Sequence, residues 1–188
     1  LASTQEIKLG TAVAVQYFRN PVDVADSVAA LSELMDGREL SIGIARGNQY
    51  TSRLLNVVKP VSMLRETAQV LSALLAGERI EMNSHPTVCS YFNFAPGASV
   101  KLAFAPASPV RLYCGGNGPL ALAVGGQHMD GVVFGSTLQA AALTGRLAGL
   151  LAVAEQAAAQ AGRPVPLPKV AEIKISVHRD REVARDFV

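Results

Sequence analysis

Residues 110–137 constrain the fold more than any other stretch. They read VRLYCGGNGPLALAVGGQHMDGVVFGST. Val110, Leu112 and Cys114 alternate with Arg111 and Tyr113, which is the period of a strand. Three glycines around Asn117 then form a turn that lets backbone approach a ligand closely. Pro119 suits the first position of a helix, and a helix from Pro119 to about Gly125 aims its free N–H groups back at that turn. Asp130 and Gly131 lead into an apolar strand over 132–134, and Gly135, Ser136 and Thr137 open the next helix in the same way. Two neighbouring strand ends thus offer amides to one anion, most simply a phosphate. The pattern is neither a dinucleotide fingerprint nor a Walker lysine motif, and glycine turns also join strands to helices with no ligand at all.

The same strand-to-helix alternation runs through the chain. Residues 7–15 (IKLGTAVAV) form an apolar run without helical period, expected as a strand buried on both faces. Asn20 and Pro21 begin a helix, with Val24, Val28, Leu31 and Met35 on its buried face and Gly37 at its end. Residues 40–45 (LSIGIA) are a second buried strand, followed by Arg46, Gly47 and Asn48 and a loop to residue 59. Pro60 or Ser62 starts an amphipathic helix whose buried side carries Val61, Leu64, Ala68, Leu71 and Leu75. Residues 78–109 are irregular and proline-containing, a long excursion with a β-prone hairpin at 91–94. Residues 137–161 read as one Ala-rich helix, residues 169–177 as a strand with Ile173, Ile175 and Val177 on its apolar face, and Asp180 begins a last helix. Alternation of this kind means a parallel sheet with helices outside it, within one domain over residues 1–188. An open doubly wound sheet and an arc of a (β/α)8 barrel both satisfy it.

Composition removes several classes of function. Charged residues make up 17% of the 188 positions and the net charge is +2, with no basic block, which argues against a nucleic-acid partner. No apolar run is long enough to span a membrane. Cys89 and Cys114 have no metal spacing and point to a reducing compartment, so a cytoplasmic location is expected.

The order and spacing of four segments resemble the luciferase-like flavin-dependent oxidoreductases, the group of bacterial luciferase and the deazaflavin-dependent methylenetetrahydromethanopterin reductases. The segments are LGTAV at 9–13 with Asn20 and Pro21; SIGIARGN at 41–48, whose GIxRG pattern is close to luciferase; KPVS at 59–62 with LRE at 64–66 and LLAGE at 74–78, similar to the reductases; and YCGGNG at 113–118 with DGVV at 130–133. The resemblance implies a TIM (β/α)8 barrel of the luciferase-like type, of which this chain covers about strands 3 to 7. Strands one, two and eight have no counterpart in it, and neither do the catalytic side chains that the family draws from its first two strands. A homodimer is also implied.

The resemblance further implies reduced FMN at the C-terminal mouth of the barrel, acting with oxygen on a small organic substrate, or alternatively the deazaflavin coenzyme F-420 passing a hydride. A separate flavin reductase would supply reduced cofactor. The cofactor ring would lie against a bulge at Ala12 and Val13, where the family often carries a non-prolyl cis peptide. Arg46 follows a buried strand at the end where parallel sheets bind ligands, and its guanidinium can grip a phosphate with two N–H groups. The luciferase match places a flavin-phosphate arginine there. Gly47 and Asn48 would add amides, Gly116, Asn117 and Gly118 would complete the cradle, and Gly135 and Ser136 would contribute from the next strand.

Among other polar residues, Glu66, Asp130 and His128 read as structural and His85 as a solvated loop histidine, while His178 and Arg179 fall at the exit of the last strand, on the functional face. No hydrolytic triad or metal spacing is found. Two other functions use the same turns: a non-redox enzyme acting on a phosphate-bearing substrate, and a non-catalytic flavin-binding barrel protein.

Overall fold

The computed structural model describes residues 6–135, 137–173 and 175–186. Five strands form one sheet in the order β1 (Leu9–Val15), β2 (Leu40–Ala45), β5 (Val110–Gly115), β6 (Gly131–Phe134) and β7 (Lys169–Ala171). Every neighbouring pair is parallel. Among the described residues two further strands, β3 (Ile80–Glu81) and β4 (Ser99–Val100), pair with each other. Spatial order therefore follows chain order without reversal. A doubly wound sheet reverses at a switch point; this sheet does not, and it is an arc of a barrel with β1 and β7 at its edges.

The helices α1 (Pro21–Glu33), α3 (Pro60–Leu75), α5 (Pro119–His128) and α7 (Leu147–Gln160) lie outside the arc. The core forms between them and the outward side chains of the strands, Ile42, Ile44, Leu112, Cys114, Val132 and Phe134, all buried. Against these pack Val28, Met63, Leu71, Leu74, Leu122 and Ala158. The contacts of α5 with α7 on one side and with the sheet on the other explain two glycines inside a helix. A Cβ on Gly126 would strike the Ala154 carbonyl, and one on Gly125 would lie 2.6 Å from Cys114 Cβ. Close packing outweighs the roughly 1 kcal/mol that each glycine costs a helix, so α5 continues to His128 rather than stopping near Gly125.

Several expectations change for local reasons. β1 is not buried on both faces: Gly10, Thr11 and Ala12 are exposed, because β1 is the edge of the arc. On α1 the buried stripe is Ala25, Val28, Ala29 and Ser32, while Leu31 is 42% exposed. Met35 is buried just after the helix, where Asp36 and Gly37 take positive φ. The loop after Asn48 contains a short helix, α2 (Gln49–Leu54), because the Asn48 carboxamide accepts from Tyr50 N at 2.9 Å. In the excursion Tyr91 ends helix α4 (Pro86–Tyr91) and is not in a hairpin; the hairpin is β3 with β4.

Buried Glu66 of α3 caps α4 across the fold. It accepts from Thr87 N at 2.7 Å, Val88 N at 3.0 Å and the Thr87 hydroxyl at 2.7 Å. The expected long helix over 137–161 is two, α6 (Leu138–Leu143) and α7. The Thr144 hydroxyl turns back to Ala140 O at 2.7 Å and Gly145 takes φ +71°. β7 stops at Ala171 because β6 offers only four residues to pair with, and Glu172 N to Phe134 O, at 2.8 Å, is the last rung. Ile173, Ile175 and Val177 consequently stand 70–88% exposed instead of lining a strand face. Asp180 does open the last helix, α8 (Arg181–Asp186), accepting from Glu182 N.

Candidate functional site

The C-terminal ends of the five strands surround a cavity of about 330 Å3. Of the residues expected at a ligand site, Ala12, Val13, Gly47, Asn48, Gly116, Asn117 and Gly135 line it. A second cavity, of about 290 Å3, adjoins it and holds Arg46 and Gly118. Gly47, Gly115, Gly116 and Asn117 line both. Arg46 thus faces the β5 turn together with Pro60 and Val61, the first turn of α3, and not Gly135. Ser136 lies outside the described residues.

The floor of the larger cavity is made by removing side chains. The peptide bond between Ala12 and Val13 is cis, and the β1–β2 register shifts between Thr11 and Ala14. Around this bulge the Thr11 hydroxyl accepts from Gly43 N at 3.2 Å, replacing a rung of the ladder. Gly115 pairs with Ala45 and Val133. A Cβ there would lie 2.6 Å from Val13 Cγ1 and 3.0 Å from Ala45 Cβ, so only glycine lets the strand end lie flat. Gly47 has φ +86°, a left-handed turn that carries the chain off β2 between the two cavities.

Charge at the smaller cavity has three sources. Arg46 is exposed and has no ion pair among the described residues. The helices α3 and α5 both begin there, at Lys59 and Gly118, and neither has a side-chain cap. By contrast Asn20 caps α1, accepting from Val22 N at 2.9 Å, and Asn48 caps α2. Prolines at the first positions of α3 and α5 remove one donor each, but the next N–H groups remain without a side-chain acceptor. Uncapped N-termini carry partial positive charge, and together with a guanidinium they favour an anion.

Sequence reasoning missed Glu172, the ionisable residue that lines the larger cavity. It follows the last residue of β7, the position where barrel strands present functional groups. The reading extended that strand to Val177 and so looked for the functional end at His178 and Arg179. Both are exposed, and His178 Nδ1 is instead tied to Asp180 N at 3.0 Å. His85 is not a solvated loop residue: it is half-buried, Nδ1 has no partner, and burial lowers its pKa against the opposing pull of Glu66. His128 ends α5 at the other end of the sheet, where burial and then Arg65 and Arg163 lower its pKa. Burial pushes the Cys114 thiol up to about 12. Among the described residues no three His, Cys, Asp or Glu side chains are placed to share a metal, and no helix is long and apolar enough to cross a membrane.

A parallel arc with a cavity at its C-terminal strand ends defines one side of an α/β barrel. The family model described as luciferase-like monooxygenase matches residues 1–188, and the chain belongs to that family. Among curated proteins it is similar to the 5,10-methylenetetrahydromethanopterin reductase of Methanolobus tindarius, 32% identical over 83 residues, which are 43% of this chain and 25% of the reductase. Among solved structures it resembles the coenzyme F-420-dependent tetrahydromethanopterin reductase of Methanopyrus kandleri, with TM-score 0.70, 21% identity, and 97% of this chain against 54% of that one. A monooxygenase from Streptomyces bottropensis gives TM-score 0.72 at 17% identity, covering 99% of this chain and 55% of that one. The chain spans about half the length of these solved relatives, whose folds are luciferase-like barrels.

Proposed function

We propose that the mouth of this arc holds a phosphate-bearing redox cofactor, FMN in the first reading, and that the protein is a flavin-dependent monooxygenase acting on a small organic substrate. The observation that carries the reading is the pairing of two adjoining cavities. One is floored by Ala12, Ala45 and Gly115 and suits a flat ring; the other joins Arg46 to the uncapped starts of α3 and α5 and suits a phosphate. The residues present fit the group: a Cβ at Gly115 would fill the floor, and among the described residues Arg46 has no ion-pair partner to displace. Arg46 would hold the phosphate as a charge-assisted hydrogen-bond donor. Gly116, Asn117 and Gly118 would close around it with backbone amides, while Val13, Val15 and Val133 keep water from the ring. Reduced flavin would supply electrons to oxygen, and a reduced deazaflavin would supply a hydride. The second reading, a reductase using coenzyme F-420, draws support from the reductase that is 32% identical and from the coenzyme F-420-dependent reductase of similar fold.

Titration with FMN and with coenzyme F-420, followed by absorbance and by oxygen uptake under turnover, tests the proposal. Saturable binding of FMN with oxygen consumption supports the first reading, and binding of coenzyme F-420 without oxygen uptake the second. Binding of neither, with retention of a plain sugar phosphate, would discard both in favour of a non-redox enzyme.

A further inference from the structure

Helix α3 is entered through a strained residue. Lys59, which precedes Pro60, has φ +40° and ψ +57°. That is the left-handed region, which a residue with a Cβ enters at a cost and keeps only where its surroundings enforce it. Two side chains from the segment just after β1 do so. The Tyr17 hydroxyl donates to Val58 O at 2.8 Å, and Gln16 Nε2 donates to Pro60 O at 3.2 Å. The chain is thus held by the carbonyl on either side of Lys59. Both anchoring residues are buried, and Gln16 N is itself fixed to Ala45 O at 3.0 Å. The excursion braces Tyr17 in turn: the Tyr91 ring meets it edge-on with centroids 5.2 Å apart, and the Tyr91 hydroxyl donates to Tyr17 O at 3.4 Å. Burial raises the Tyr17 pKa against opposing pulls from Gln16 and Arg46, so the guanidinium and this anchor are neighbours.

We propose that Tyr17 is a positioning residue for the phosphate end of the candidate cofactor site, an inference that rests on the cofactor reading. Tyr17 lines neither cavity of that site and acts through the backbone of residues 58–60. Pinning Val58 and Pro60 fixes where the uncapped start of α3 points, and Pro60, Val61 and Leu64 line the smaller cavity together with Arg46. Without the pin Lys59 relaxes out of the left-handed region, and the first N–H groups of α3 turn away from the anion.

The test is the dissociation constant of FMN against riboflavin, and of coenzyme F-420 against its phosphate-free deazaflavin core, in Tyr17→Phe, Lys59→Gly and the double variant. Tyr17→Phe keeps the ring and removes the donor. It should cut the preference for the phosphorylated form roughly three- to fivefold, with affinity for the core unchanged. Glycine takes positive φ without strain, so in the Lys59→Gly background Tyr17→Phe should change the preference by about twofold or less. Gln16→Met, which removes the donor to Pro60 O, should act in the same direction as Tyr17→Phe and serves where that variant does not fold. A preference unchanged in these variants, core affinity falling in step with it, or an undiminished effect in the Lys59→Gly background would overturn this inference and leave the cofactor reading standing. No phosphate preference in the unaltered protein would overturn both.

Discussion

At the N-terminal ends of the strands several charged side chains pair with one another. Arg111 lies 3.4 Å from Glu39 and 3.9 Å from Asp130, Lys8 reaches Glu39 at 3.8 Å, and Asp130 accepts from Arg163 at 3.0 Å and from Leu112 N at 2.9 Å. At the C-terminal ends Arg46 and Glu172 have no ion pair among the described residues, and two long helices start without caps. The same sheet thus uses charge for cohesion at one end and leaves it available at the other. That division of labour is the one expected of barrel enzymes, and it assigns different consequences to substitutions at the two ends.

The largest effect on stability should come from the answered end. Asp130→Ala leaves the Leu112 N–H and Arg163 without their acceptor. It should lower stability by about 2–3 kcal/mol, a fall of roughly 5–10 °C in Tm, with cofactor affinity unchanged. A loss of cofactor affinity in proportion to stability would break the comparison. A smaller effect should appear with pH. His128 and His85 both have pKa values lowered by burial, so the unfolded chain binds protons more readily than the folded one. Their contribution is intact above the unfolded value of about 6.5 and is lost as pH falls below it. Denaturant titrations between pH 8 and 5 should show stability declining on the acid side, with a shallower decline in His128→Gln. The smallest stability effect is expected at the mouth, where exposed Arg46 can be replaced by alanine within about 0.5 kcal/mol.

Much of this arrangement is legible in the sequence where local chemistry decides. LSIGIA is β2 residue for residue, Asn20 and Pro21 start α1, and Pro60 starts α3. The strand order of an arc was readable only through the resemblance, since alternation alone left two architectures open. Legibility failed where a neighbour sets the boundary. β7 ends when β6 runs out of backbone, which no property of residues 172–177 announces, and that error hid Glu172. It failed again where packing overrides propensity, at Gly125 and Gly126, and where one side chain suffices to start a short helix, at Asn48.

Everything proposed for the mouth of the arc depends on the phosphate grip of Arg46. The direct measurement is the dissociation constant of FMN against riboflavin, and of coenzyme F-420 against its phosphate-free deazaflavin core, for the unaltered protein and for Arg46→Ala. The prediction is that one phosphorylated form binds at least tenfold more tightly than its core, equivalent to about 1.4 kcal/mol, and that Arg46→Ala removes most of that difference while leaving affinity for the core unchanged. A phosphate preference that survives Arg46→Ala, or no phosphate preference at all, would contradict it.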